Sequence, residues 1–196
     1  MATEVAPPAP GEPMADTRKR MSPWLKGVLG LVAFLGLFLV AGTAIGAGMD
    51  PTHETSTAIT LQQPPETLWA DLTAVDAYPQ WRPEVRAIKR HPGTALKWDE
   101  DWGGGQPPVT LTAITMEAPR HLVLSIDDNE GTYSGSWDFT LEPAGSGTRI
   151  TITERGTINN SFLRFAMCGL MKCTDYCLKV YLRDLAQKYG ETARFE

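Results

Sequence analysis

Apolar residues fall along this chain in three successive patterns. From Gly27 to Met49 no charged or strongly polar side chain interrupts the run, and about 20 apolar residues suffice to cross the hydrocarbon of a bilayer. From His53 the pattern turns to alternation, with Thr55, Thr57, Ile59 and Leu61 on one face, which predicts a strand. Pro64-Pro65 closes that strand and opens a helix carrying Leu68, Trp69, Leu72 and Val75 at helical spacing. Asp76 could cap a second short helical turn through Tyr78 and Trp81, which Pro83 stops. Six further strands are predicted at Val85 to Lys89, Ala95 to Trp102, Val109 to Glu117, Leu122 to Ile126, Tyr133 to Leu141 and Thr148 to Thr157. Pro92-Gly93, Gly103-Gly104-Gly105, Ala118-Pro119, Asp128 to Gly131 and Ala144 to Gly147 punctuate them, in loops short enough for an antiparallel meander. At Asn160 or Ser161 the period lengthens to that of a helix reaching about Tyr189, closed by Gly190. Its stripe is Leu163, Met167, Met171, Leu178, Leu182, Leu185 and Tyr189, widened by Leu170, Cys173, Cys177 and Tyr181.

This order predicts an α+β domain. A curved antiparallel sheet of about seven strands is covered by one long C-terminal helix, with two short helices after the first strand and one transmembrane helix in front. The expected divisions are a disordered tail over 1–23, a membrane helix over 24–49 and a folded domain over 50–196. The tail, with Pro7, Pro8, Pro10 and Pro13, cannot bury enough apolar surface to fold. The 147 residues after the apolar run suffice for one domain with a proper core.

Charge sets the expected orientation. Arg18, Lys19, Arg20 and Lys26 crowd the upstream end of the apolar run, whereas Asp50, His53 and Glu54 open its exit, which places the N-terminus in the cytoplasm and the C-terminal domain on the outer side of a cell membrane. A cleaved signal peptide is the rival reading, since Val28 to Val40 has the length of a signal core and Ala41 to Ala47 is rich in small residues. Gly42 and Gly46 form a GxxxG pair that offers a weak homodimer contact. Beyond residue 49 there are 14 basic and 20 acidic residues, a balance that excludes nucleic acid as a partner.

Tyr78-Pro79-Gln80-Trp81-Arg82-Pro83-Glu84-Val85 follows the short helices, and Gly135-Ser136-Trp137-Asp138-Phe139 precedes Thr148-Arg149-Ile150-Thr151-Ile152-Thr153-Glu154-Arg155-Gly156. With Tyr181-Leu182-Arg183-Asp184-Leu185 these segments resemble the SRPBCC superfamily, and within it the polyketide cyclase/dehydrase-like proteins, cousins of the START lipid-transfer and birch-pollen-allergen domains. The resemblance covers Thr52 to about Glu191. It implies a helix-grip fold with a hydrophobic cavity between the sheet and the long helix. The apolar anchor and the three cysteines depart from that pattern.

Period-two alternation then nominates residues for the cavity. Ile150, Ile152 and Glu154 share one face of the last strand, and a carboxylate there could serve as a proton donor or as a polar handle for a ligand hydroxyl. Alternatively Glu154 sits at a frayed strand end and pairs with Arg155 or Arg164. Tyr133, Gly135, Trp137, Phe139 and Leu141 line the preceding strand, and Leu96, Trp98, Glu100 and Trp102 another. Such aromatic faces suit a sterol, acyl or polyketide-like ligand, or else plain core packing, while Trp98 and Trp102 near a mouth would meet lipid headgroups. The nominated ligand-binding residues are Trp69, Trp81, Trp98, Trp102, Tyr133, Trp137, Phe139, Ile152, Glu154, Met171, Cys173 and Cys177. Cys173 and Cys177 lie one turn apart, but His53, His91 and His121 lack zinc-ligand spacing, so neither a metal nor a cofactor is expected. The leading expectation is tethered binding of a hydrophobic small molecule without chemistry. A cyclase or dehydrase-like enzyme using Glu154 as acid/base and a non-binding interaction module at the membrane are the alternatives.

Overall fold

In the computed structural model, residues 22–93, 95–171 and 175–196 are described. The chain divides into two compact units, one ending at Phe38 and the other running from Leu39 to Glu196. Helix α1 (Pro23–Ala47) begins in the first and ends in the second. It is long and apolar enough to cross a membrane, and its side chains in the first unit are exposed.

In the second unit, β1 (Thr52–Leu61) leads to α2 (Pro65–Thr73) and a 3₁₀ turn (Val75–Gln80). Pro64 is extended and Pro65 occupies the first turn, where its missing N–H costs nothing. The strands β2 (Ala87–Arg90), β3 (Lys97–Asp101), β4 (Val109–Glu117), β5 (His121–Asp127), β6 (Tyr133–Ala144) and β7 (Gly147–Ile158) follow as a meander. They form one antiparallel sheet in the order β1-β7-β6-β5-β4-β3-β2. The first and last strands thus meet, and β1 pairs with β7 along its whole length. That long-range pairing brings His53 opposite Gly156 and Thr55 opposite Glu154.

The helical cover is interrupted. Instead of one helix from Ser161 to Tyr189, there is a short α3 (Ser161–Arg164), a π-helical stretch (Phe165–Met171), and α4 (Tyr176–Lys188). Two local features go with the break. Arg164 is held by the carbonyls of Ile158, Gly46 and Met49, and Gly169 in the widened stretch weakens any regular helix. Asn160 caps α3 by accepting from the Leu163 N–H.

One half of the groove is solid. From α4, Leu178, Tyr181, Leu182, Leu185 and Ala186 pack onto Leu122, Phe139, Leu141, Ile150 and Ile152 of the sheet. The Tyr181 ring lies 5.4 Å from that of Phe139, 5.8 Å from Trp137 and 5.5 Å from Trp81. Each such edge or tilted contact adds about 0.5–1.5 kcal/mol to the area buried. The α1 residues Gly42 and Gly46 are buried against the same chain, since a Cβ on Gly42 would meet Phe165 at 2.8 Å and one on Gly46 would meet the Ser161 carbonyl oxygen at 1.8 Å. The close-approach face offered for a homodimer through Gly42 and Gly46 is therefore already occupied by α3 and the stretch after it.

Candidate functional site

The other half of the groove is hollow. A cavity of about 240 Å³ lies between the sheet and the interrupted helix. The sheet supplies Val109, Leu111, Ile126, Trp137 and Ile158, and the cover supplies Leu163, Met167 and Cys177. Polar groups enter at two places, each a carboxylate at the centre of a ring of donors.

Glu154 of β7 is 6% exposed. Tyr133 donates its hydroxyl to Glu154 Oε1 at 2.8 Å, and the Trp137 indole N–H donates to Oε2 at 3.1 Å. His53 Nε2 lies 3.1 Å from Oε1. Among the described residues no lysine or arginine pairs with this carboxylate: Arg155 reaches Glu54 and Asp138 on the outer face, and Arg164 is spent on backbone carbonyls. Burial, and then the neighbouring Glu154 charge, push the Tyr133 hydroxyl well above its ordinary pKa, so it stays a donor. His53 Nδ1 is buried and makes no hydrogen bond among the described residues.

Two glycines open the space for this cluster. Gly135 and Gly156 face each other across β6 and β7. A Cβ on Gly156 would meet the His53 ring at 2.5 Å and Tyr133 at 2.9 Å, and one on Gly135 would meet the Tyr133 hydroxyl at 2.9 Å. Without side chains there, His53 and Tyr133 lean across the sheet to the same oxygen. Asp128 fixes the turn before Tyr133 by accepting from the backbone N–H groups of Glu130, Thr132 and Tyr133.

Glu100 of β3 is 1% exposed. It accepts from Trp98 and Trp102 at 3.0 and 2.9 Å and from Arg82 at 2.9 Å. Arg82 is itself buried between the rings of Tyr78 and Tyr181, 5.0 and 4.7 Å from its guanidinium carbon.

Of the residues nominated from sequence, Trp102, Tyr133, Trp137, Glu154 and Cys177 line the cavity. Trp98, Phe139 and Ile152 are fully buried in the solid half, where α4 closes on them, and Trp69 and Trp81 pack against that core from its edge. The Trp98 ring, at 0% exposure, is out of reach of any headgroup. Met171 is turned outward because the widened helical stretch rotates it off the inner stripe. Cys173 lies outside the described residues. Among the lining residues not nominated, His53 and Asp128 carried no local signal, whereas Glu100, Leu163 and Met167 lay on stripes already recognised.

The family model for polyketide cyclase / dehydrase and lipid transport proteins matches residues 52–175. The chain belongs to that family. Solved structures with the family's fold include a conserved protein from Geobacillus kaustophilus, 12% identical with a TM-score of 0.58, covering 74% of this chain and 99% of that one. Protein MLL2253 from Mesorhizobium loti is 17% identical with a TM-score of 0.53, covering 69% and 95%. The di-domain ARO/CYC StfQ from the steffimycin biosynthetic pathway is 14% identical with a TM-score of 0.52, covering 71% of this chain and 47% of that one. At these identities the likeness is one of fold. No curated protein matches the chain.

Proposed function

We propose that this family member binds a compact hydrophobic molecule in the cavity and holds it beside the membrane in which α1 anchors the chain. The observation that carries the reading is the apolar hollow with a grouped polar end at Glu154, Tyr133, Trp137 and His53. Ligand sites commonly enclose about 300–1,000 Å³ and combine apolar walls with a few convergent polar groups. A hollow of about 240 Å³ favours a single ring system or short chain with one hydroxyl or carbonyl directed at the cluster. The basic residues before the apolar run and the acidic ones after it support an N-terminus in the cytoplasm and a domain on the outer face.

A second reading draws on one feature of the cluster. A carboxylate touching a histidine, with no fixed cation beside it among the described residues, can give and take a proton, which suits a cyclase or dehydrase-like step with Glu154 as acid/base. Full-length protein extracted in mild detergent should carry a stoichiometric apolar molecule detectable by native mass spectrometry, or take up an apolar fluorophore that such a molecule displaces. A chain that carries nothing and takes up nothing defeats the binding reading. Turnover of a bound compound that disappears in Glu154→Gln would decide for the enzyme.

A further inference from the structure

Resting on the tethered-binding reading above, we infer that the segment Ser161–Met171 is a bilayer-docking surface through which the cavity exchanges its ligand with membrane lipid. One segment carries three roles. Its Leu163 and Met167 line the cavity. Its Leu170 and Met171 face outward, 64% and 55% exposed. From Phe165 to Met171 it holds no charge.

The contacts with the end of α1 say which partner those outward residues meet. Phe162 and Phe165 press on Gly42, and the Ser161 carbonyl presses on Gly46. Arg164 donates to the carbonyls of Gly46 and Met49 at 2.8 and 3.0 Å, fixing the segment to the last turns of the apolar helix. Counted from Lys26, whose ammonium stays in water, about 20 residues at about 1.5 Å each bring the helix to the far edge of the hydrocarbon. That edge falls at Gly46. The segment clamped to Gly42 and Gly46 is therefore held where acyl chains meet headgroups, and Leu170 and Met171 have lipid rather than water to enter. Trp102, on the cavity wall and 39% exposed, adds an aromatic of the kind that settles at that boundary.

The test uses full-length protein in phosphatidylcholine vesicles and a short-chain apolar fluorophore, small enough for the hollow of about 240 Å³, supplied from a second vesicle population. Leu170→Glu with Met171→Glu should slow exchange about tenfold or more, because charge is expelled from the acyl region, while the same protein in detergent binds as much fluorophore as the wild type. Equal exchange rates overturn the docking surface and leave the cavity reading standing. Failure of the wild type to bind the fluorophore in detergent removes the cavity reading and this inference with it. Should the double variant not fold, Leu170→Trp in vesicles of brominated lipid decides: a larger fractional quenching than the wild type is expected, and an equal one refutes the inference.

Discussion

Glu100 and Glu154 enter the same cavity from opposite flanks of one sheet, each accepting from an indole, yet their surroundings differ in one decisive respect. Glu100 is joined by Arg82, whose charge is permanent and which aromatic rings hold in place. Glu154 is joined by His53 and Tyr133, which carry no fixed charge. A carboxylate locked to guanidinium is part of the scaffold, because neither member can change its charge without stripping the other of a buried partner, Glu84 being the second carboxylate on Arg82. A carboxylate among neutral or titratable donors can exchange a proton or trade a donor for a ligand hydroxyl. Two similar residues thus divide the work, and the division follows from the partner.

The contrast can be broken most forcefully at Glu100. Glu100→Gln takes from buried Arg82 the more deeply buried of its two carboxylate partners and leaves Glu84 alone to pair it, which should cost about 3 kcal/mol, read as a lower urea midpoint; a cost near zero would make the two carboxylates equivalent. Gly156→Ala should cost about 1–3 kcal/mol by overpacking against His53 and Tyr133, and should weaken ligand uptake by displacing both from Glu154. Glu154→Gln keeps the shape, its amide oxygen still accepting from Trp137 while its NH2 replaces the oxygen that Tyr133 and His53 share, a loss of about 1 kcal/mol, while ligand affinity falls far more than stability. A stability loss as large as that of Glu100→Gln would assign Glu154 to the scaffold instead.

A further test concerns a third carboxylate, whose effect is read in the pH dependence of stability. Asp184, buried on α4, is pushed up to about 7, by burial first and then by Glu84 beside it, against the pull of Arg183 and Arg82. The folded chain then keeps a proton that the unfolded chain has released, so this group's contribution makes stability fall as pH rises from about 4 to about 7 and stay level above. Asp184→Asn should flatten that slope and raise the stability at pH 8, read as a higher urea midpoint, while leaving pH 4 nearly unchanged. A slope that survives the substitution would refute the assignment to Asp184.

Much of the domain is legible in the residues because its signals are local. Alternation marks β3, β5, β6 and β7, Pro64-Pro65 marks the start of α2, and the inward face of β7 follows from Ile150 and Ile152 alone. The break in the helical cover is less legible, since Leu163, Met167 and Met171 continue a regular stripe through the π-helical stretch; only Gly169 hints at it. His53 carries no hint of its role, because the partner that defines it lies 101 residues away. The four nominated aromatics that fill the solid half or its edge, Trp98, Phe139, Trp69 and Trp81, look from sequence like those that line the hollow half, for an aromatic on an inward face packs or lines a cavity according to what sits opposite.

The order of elements, the face each residue presents and the apolar stretch suited to a bilayer were set by the chain itself, through the periods of strand and helix and the conformations open to proline and glycine. Closing β1 onto β7 and interrupting the helical cover were decisions of the tertiary structure. Those two long-range events chose His53 as the neighbour of Glu154 and left one half of the groove unfilled, because hydrogen-bond partners and empty volume arise only where distant segments meet.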